Sequence, residues 1–235
     1  MGAAGGMIED FMGEILEFPI FRELKKESVR ELLSGGIMHS NKHREILYRH
    51  GDAADTFSLV LRGAYKLTKP TTHGDDVIMY FSCPGDVLGA LVMPHPKGLY
   101  PVSVIAMGPS LVWKIPKRTY MEKWMSNTQV AVQLQNLIYS RMALLQDEKT
   151  LQKSPLSRKV AYLLLQLMEK YSLEGQGVLP IPVTRKEIAD ALGSTVESVI
   201  RVMSEWSQSG IVKTNEKHIE ILRPGRIVEI FSEKR

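Results

Sequence analysis

Glu197 and Arg201 stand four residues apart in the stretch TRKEIADALGSTVESVIRVM, residues 184–203. On a helix that spacing puts an acceptor and a planar donor fork on one face, where each steadies the other. Arginine forms a bidentate pair with guanine O6 and N7, and glutamate accepts from cytosine N4. The two therefore suit base edges in the major groove of a duplex. An ordinary surface ion pair would use the same residues and contribute little; their neighbours favour base reading. Val196 and Ile200 share the unburied face, where apolar side chains meet thymine methyls. Thr195 and Ser198 are placed for phosphate oxygens, as are Lys213 and Lys217 farther on. Thr184, Arg185 and Ser194, at the starts of two helices, complete the candidate contact set.

Holding these side chains together takes two short helices and a tight turn. Thr184 is an N-cap, and Glu187 three residues on completes a capping box. Ile188, Ala189 and Leu192 make the inner face of the first helix, with Ala189 small because the second helix crosses close to it. Gly193 falls where the turn needs a positive φ, which glycine adopts without steric cost. Ser194 or Thr195 caps the second helix, and Val199 and Val202 point inward to close the pair. This order reads as a helix-turn-helix, whose second helix enters the major groove with its N-terminal residues at base edges. GIVKTNEKHIEIL, residues 210–222, follows as strand, tight turn at Asn215-Glu216, strand. It is either a wing that lays Lys213 or Lys217 on phosphates or a hairpin that covers the core.

Upstream the texture is β from Ile37 to Ile115. REILYR, FSLVLRGAYKLTK, DVIMYF, PVSVIAM and SLVWKIP alternate or cluster apolar residues. His50-Gly51-Asp52, Arg62-Gly63, His73-Gly74-Asp75, Pro84-Gly85-Asp86 and Gly108-Pro109 punctuate them. Short strands with glycine corners imply a β-sandwich or barrel. A short helix is expected over 26–33 and another over 118–124. A long helix is expected over 128–151, with an apolar stripe of Leu134, Leu137, Ile138, Met142, Leu144 and Leu145. That stripe serves burial against the chain's own sheet, a dimer seam, or both. Ser154-Pro155 breaks the helix, and SRKVAYLLLQLMEKY follows with Ser157 as its cap. The loop SLEGQGVLPIP then leads to Thr184.

Bulk properties bound the possibilities. The 235 residues are 44% hydrophobic and 24% charged, as in a globular protein of one large or two ordinary domains. No apolar run reaches membrane-spanning length, and MGAAGGM lacks the layout of a secretory signal. The single cysteine, Cys83, allows no internal disulfide and no cysteine-held cluster, which fits a reducing cytoplasm. Cys83 is expected to be a buried turn residue, or a redox sensor if exposed with a lowered pKa. The net charge of +4 permits a polyanionic partner without demanding one. Over 154–235 the surplus is only two, 12 Lys and Arg against 10 Asp and Glu, so spacing rather than gross charge carries the DNA reading. The sequence contains no nucleophile–base pair, metal-ligand spacing or phosphate-binding glycine loop, which argues against an enzyme.

With these features assembled, the chain resembles the CRP/FNR family of bacterial transcription regulators over about residues 18–231. YRHGDAADTFSLVLRGAYKL resembles the family's cyclic-nucleotide-type β-roll, with Gly51, Asp52 and Gly63 at its corners, and CPGDVLGALVM resembles its phosphate cassette. LGSTVESVIR is similar to the FNR branch, which has Val-Glu-x-x-Ser-Arg where this chain has Val196 to Arg201. The resemblance implies an α+β fold. It divides into a flexible N-terminus (1–11), a β-roll effector domain, or double-stranded β-helix (12–116), a dimerisation helix (117–152) and a winged helix-turn-helix (153–235). It implies a homodimer on a near-palindromic DNA operator, an effector in the roll, and RNA polymerase as a further partner. Leu134, Leu137, Ile138, Met142 and Leu145 would form the dimer interface. By analogy Glu197 and Arg201 read the inner TGA-like part of each half-site. Ile200 replaces the branch's serine, so the outer thymine contact changes, to a methyl contact if Ile200 packs there.

The roll departs from the cyclic AMP binders. Their Gly-Glu-Leu is Gly89-Ala90-Leu91 here, and their Arg-Ser position falls at Tyr100-Pro101. Around these, Gly85, Leu88 and Leu144 complete the candidate effector pocket, and Ala143-Leu144-Leu145 is apolar where the cyclic AMP binder carries hydroxyls. A phosphate buried without arginine is costly, so tight cyclic AMP binding is not expected. The effector stays open between haem, with His39, His43, His50, His73, His95 or His218 as axial ligand, and a small apolar or weakly anionic metabolite. A second reading keeps DNA binding and makes the roll a mere scaffold. No metal site is expected.

Overall fold

The computed structural model describes residues 8–72, 74–171, 178–179, 181–215 and 218–233. Contacts group the described residues up to 69 with 80–142 in one unit, and 70–79 with those from 143 onward in a second. The division falls within the long helix, after Met142, rather than at 116 or 152.

The first unit begins with α1 (Met12–Glu17), a 3-10 turn (Pro19–Phe21) and α2 (Lys26–Leu32). Helical structure starts at Ile8, which is buried in the core, so the flexible stretch expected through residue 11 does not reach that far. Eight strands follow among the described residues, β5 being shared between the two units at residue 80: β1 (Ile37–Asn41), β2 (Ile46–Tyr48), β3 (Thr56–Arg62), β4 (Tyr65–Pro70), β5 (Asp76–Ser82), β6 (Val87–Leu88), β7 (Ser103–Ala106) and β8 (Ser110–Pro116). They form two four-stranded sheets, ordered β1-β8-β3-β6 and β2-β7-β4-β5. β3 is buried from Phe57 to Leu61 because both of its faces are covered. Alternate residues point to opposite sides: Phe57 meets Trp124 edge-on at 4.8 Å, whereas the Ser58 hydroxyl reaches Tyr48 of the other sheet.

α3 (Lys117–Thr119) runs into a π-helical turn (Tyr120–Trp124). Trp113 and Trp124 each donate an indole N–H at 2.8 Å to the carbonyls of Leu33 and Leu32. The Leu32 carbonyl is an orphan acceptor at the end of α2 that the Trp124 indole satisfies inside the core, while the Leu33 carbonyl also accepts from Gly36 N. Asn127 caps α4 (Thr128–Thr150), its Oδ1 accepting from Val130 N. The expected stripe divides along α4. Val130 and Leu134 are buried and Leu137 packs on the core, whereas Ile138, Met142 and Leu145 are about half exposed.

The second unit contains α5 (Leu156–Tyr171), α6 (Arg185–Leu192), α7 (Val196–Gln208), β9 (Val212–Asn215), β10 (His218–Ile221) and α8 (Pro224–Ser232). α5 starts at Leu156, one residue before the serine expected to cap it, with Pro155 O accepting from Lys159 N. β9 and β10 pair antiparallel from Ile221↔Val212 to His218↔Asn215. Asn215 is thus the last residue of a strand rather than part of the turn. The tight turn expected at Asn215-Glu216 extends to residues outside those described, and so does most of the 172–182 loop. Val178 bridges to Glu220 and adds a third, short edge. α8 was not legible as a helix beforehand. Its sign is Pro224 at the first position, where the missing N–H costs nothing, followed by buried Ile227.

Candidate nucleic-acid interface

The helix-turn-helix is built from its caps inward. The Thr184 hydroxyl accepts from Glu187 N at 3.2 Å and donates to Glu187 Oε2 at 2.9 Å, while Thr184 N donates to the same carboxylate. The capping box is therefore closed, and the hydroxyl of Thr184 is engaged within it. Gly193 has φ +58°, the left-handed region that a side chain would strain. Thr195, rather than Ser194, caps α7: its Oγ1 accepts from Ser198 N and donates to Ser198 Oγ at 2.9 Å. Ala189 is 1% exposed under the crossing helix.

α7 anchors itself through Val199, Met203 and Trp206. Val202, expected to point inward, is only half-buried, and Met203 and Trp206 take that role. Both lie at i+4 and i+7 from Val199, a period that could have identified them. The opposite face carries exposed Glu197, Ile200 and Arg201, with Val196 half-buried beside them. Among the described residues no ion pair joins Glu197 to Arg201, contrary to the expected i,i+4 pairing; both heads are left to solvent. A surface pair of this kind contributes little, so its absence costs little.

Arg185 is tied down instead. Its Nη2 donates to Thr214 Oγ1 at 2.7 Å, linking α6 to β9, and burial holds its pKa below the usual value. Sequence reading missed that tie, since nothing local pairs residues 29 apart. Lys213 is exposed on β9 opposite Glu220. Lys217 lies outside the described residues. Of the expected contact residues, Ser194 to Arg201 lie in the turn and at the start of α7, while Arg185 at the start of α6 is bonded to β9, the strand that carries Lys213.

Two tyrosines pack together within the roll. Tyr48 and Tyr100 stack with ring centres 4.2 Å apart. The Tyr100 hydroxyl donates to Thr56 O at 2.5 Å, and the Tyr48 hydroxyl bonds Ser58 Oγ at 2.6 Å. Burial pushes both phenols above their usual pKa, so they stay neutral. Gly89, at φ +80°, is needed for a second reason: a Cβ there would meet the Tyr100 ring at 3.1 Å. Leu88 and Ala90 are 1% exposed. Gly85 packs against Phe18, Leu91 is half-buried and Pro101 is exposed. Leu144 is half-buried on α4 beyond the unit boundary.

A groove of about 440 Å³ opens beside the tyrosine stack, lined by Ile46, Arg49, Asp52, Asp55, Lys114 and the two rings among others. Of the expected pocket residues only Tyr100 lines it, and its lining supplies no imidazole for a haem iron. His43 Nδ1 instead donates to Met107 O at 2.8 Å, His39 Nε2 accepts from Asn41, and His95 Nδ1 accepts from Lys97 N. His73 lies outside the described residues. Among the described residues no group of three or more His, Cys, Asp or Glu is gathered for a metal ion, and no helix is long and apolar enough to cross a membrane. Cys83 is buried at the β5–β6 turn.

Comparison with known proteins matches both units in order. Residues 39–127 match the cyclic nucleotide-binding domain family, and residues 158–230 match the Crp-like helix-turn-helix domain family. The chain is 28% identical over 189 residues to the transcriptional activator protein FnrA of Stutzerimonas stutzeri, covering 77% of this chain and 75% of that one. It is 27% identical over 186 residues to the nitrogen fixation regulation protein FixK of Bradyrhizobium diazoefficiens, covering 78% and 77%. In fold it is similar to FixK2 from Bradyrhizobium japonicum, with a TM-score of 0.72 at 22% identity over 85% of this chain and 99% of the other.

Proposed function

Given that the chain belongs to the CRP/FNR family of transcriptional regulators, which are DNA-binding proteins and not enzymes, we propose that it acts as a homodimer on a near-palindromic operator. α7 enters the major groove, Arg201 pairs with a guanine, and Glu197 accepts from a cytosine amine. Lys213 and Ser198 meet phosphates, Lys217 does so from the wing, and Arg185 braces that wing against α6. The protein works in the cytoplasm, where DNA and RNA polymerase are at hand. The observation that carries this reading is the exposed, unpaired Glu197 and Arg201 on the outer face of an α7 whose inner face is buried.

The dimer rests on α4. Ile138, Met142 and Leu145 recur at helical spacing and stay about half exposed on one helix that elsewhere buries its leucines. A second copy of the same helix would cover them.

For the effector, the tyrosine stack in the roll favours a ligand other than cyclic AMP. The place expected for the phosphate-binding arginine belongs to Tyr100, whose ring is stacked and whose hydroxyl is bonded. Tyr100 brings no positive charge to that place, and the cations at hand, Arg49 and Lys114, belong to the groove beside the stack. The same packing supports the second reading, a constitutive regulator whose roll is only a scaffold. A gel-shift titration on TTGA/TGTGA-type palindromes, with and without candidate effectors, separates the two. Retardation that no effector alters supports the scaffold, effector dependence supports the sensor, and no retardation of any such site contradicts both.

A further inference from the structure

We propose that Ile200 reads a pyrimidine 5-methyl group, so that one position of each half-site is recognised equally as thymine or 5-methylcytosine. The inference rests on the DNA-binding reading above and adds a specificity to it. On α7 the anchoring positions are taken by Val199, Met203 and Trp206. Ile200 lies about 100° further round the helix than Val199, 47% exposed, on the side of Glu197 away from Arg201. Val196, one turn earlier on the same strip, is already half-buried, so Ile200 is the freer apolar group of the two.

A single exposed isoleucine would by itself mean little. Here it stands among the groups poised for base edges, and its chemistry limits what it can read. It has no hydrogen-bonding atom, and its branched Cβ holds it in few rotamers. In the major groove each base pair presents donors, acceptors and, for thymine alone, a C5-methyl. An isoleucine responds to the methyl and to none of the rest. 5-Methylcytosine carries the same methyl on the same carbon, whereas uracil and cytosine lack it. The contact must therefore rank thymine with 5-methylcytosine above uracil and cytosine, which makes affinity sensitive to cytosine methylation at that position.

The test uses the full-length protein and fluorescence anisotropy on a TTGA-type palindrome. Each thymine is replaced in turn by deoxyuridine. Cytosine is then placed at the responsive position with and without its 5-methyl. One buried methyl corresponds to about a fourfold change per half-site. The expected result is a loss of that size at one thymine position, a matching gain from cytosine methylation there, and neither effect in Ile200→Ser. Wild-type binding that is indifferent to deoxyuridine at every position overturns the proposal. So does methyl dependence that survives Ile200→Ser. Absence of binding to any site would instead defeat the DNA reading on which it stands.

Discussion

Arg201 and Lys213 are both exposed cations in the second unit, yet they are predicted to fail differently. Arg201→Ala removes a bidentate base contact, so the specific site loses about 1–3 kcal/mol and discrimination relaxes at one base pair. Lys213→Ala removes a phosphate contact, so all sequences weaken alike and the salt dependence shallows by about one unit of slope. Anisotropy on a set of single base-pair variants at two salt concentrations distinguishes them; identical behaviour would refute the assignment. A second residue-scale prediction concerns Glu9, bonded by Arg30 Nε at 2.6 Å, with Lys26 3.4 Å away. Chiefly through the Arg30 bond, its carboxyl falls from the usual 4.5 to about 2. A depressed folded pKa stabilises above the unfolded value and loses that contribution as pH falls through the folded one. The Glu9 pair should therefore be intact above pH 4.5 and be lost as pH drops toward 2, and an NMR titration of its side-chain carbonyl carbon should place its midpoint near 2. The Thr184 cap and the exposed face of α7 that carries Glu197 and Arg201 were legible from spacing because the causes are local. The Arg185–Thr214 bond and the Tyr48–Tyr100 stack were not, since each joins residues distant in sequence.

At the scale of elements, α2 and α4 show what periodicity resolves and what it leaves open. The two indole donors at the end of α2 come from separate elements, Trp113 on β8 and Trp124 in the π-helical turn. Trp124→Ala should cost about 3–5 kcal/mol through the cavity and the unsatisfied Leu32 carbonyl. Trp124→Phe should cost less, and denaturant melts of the two variants check the order. For α4, the helical period predicted one broad stripe. The division of that stripe into buried Leu134 and exposed Ile138, Met142 and Leu145 depends on where the sheet ends, which no window of sequence reports. If a second copy covers the exposed half, Ile138→Glu with Met142→Glu should yield a folded monomer by sedimentation. It should also bind the operator at least about tenfold more weakly, since one half-site contributes where two did. A variant that stays dimeric would remove α4 from the interface. The start of α5 at Leu156 and the extension of β9 to Asn215 are shifts of one residue, the usual blur at element ends.

For the whole molecule, a roll and a winged helix-turn-helix were both legible in the chain, and family comparison agrees with each. What was not legible is the state of the roll, because an absent arginine and glutamate say only what the pocket has lost. Tyr100, at the place where the resemblance puts the arginine, is stacked on Tyr48 and bonded to Thr56, a pairing of distant residues that no local pattern announces. Calorimetry should accordingly detect no micromolar binding of cyclic AMP to the purified protein, and micromolar heat would contradict that account. The central claim, that α7 reads sequence through Glu197 and Arg201, has a more direct test. A TTGA-type palindrome and a scrambled duplex of equal length compete for the purified protein at physiological salt, with candidate effectors present. The account predicts that the palindrome wins by about a thousandfold or more, as specific sites do over non-specific DNA, and that Glu197→Ala with Arg201→Ala collapses this preference while non-specific binding persists. Equal competition by the two duplexes would contradict it.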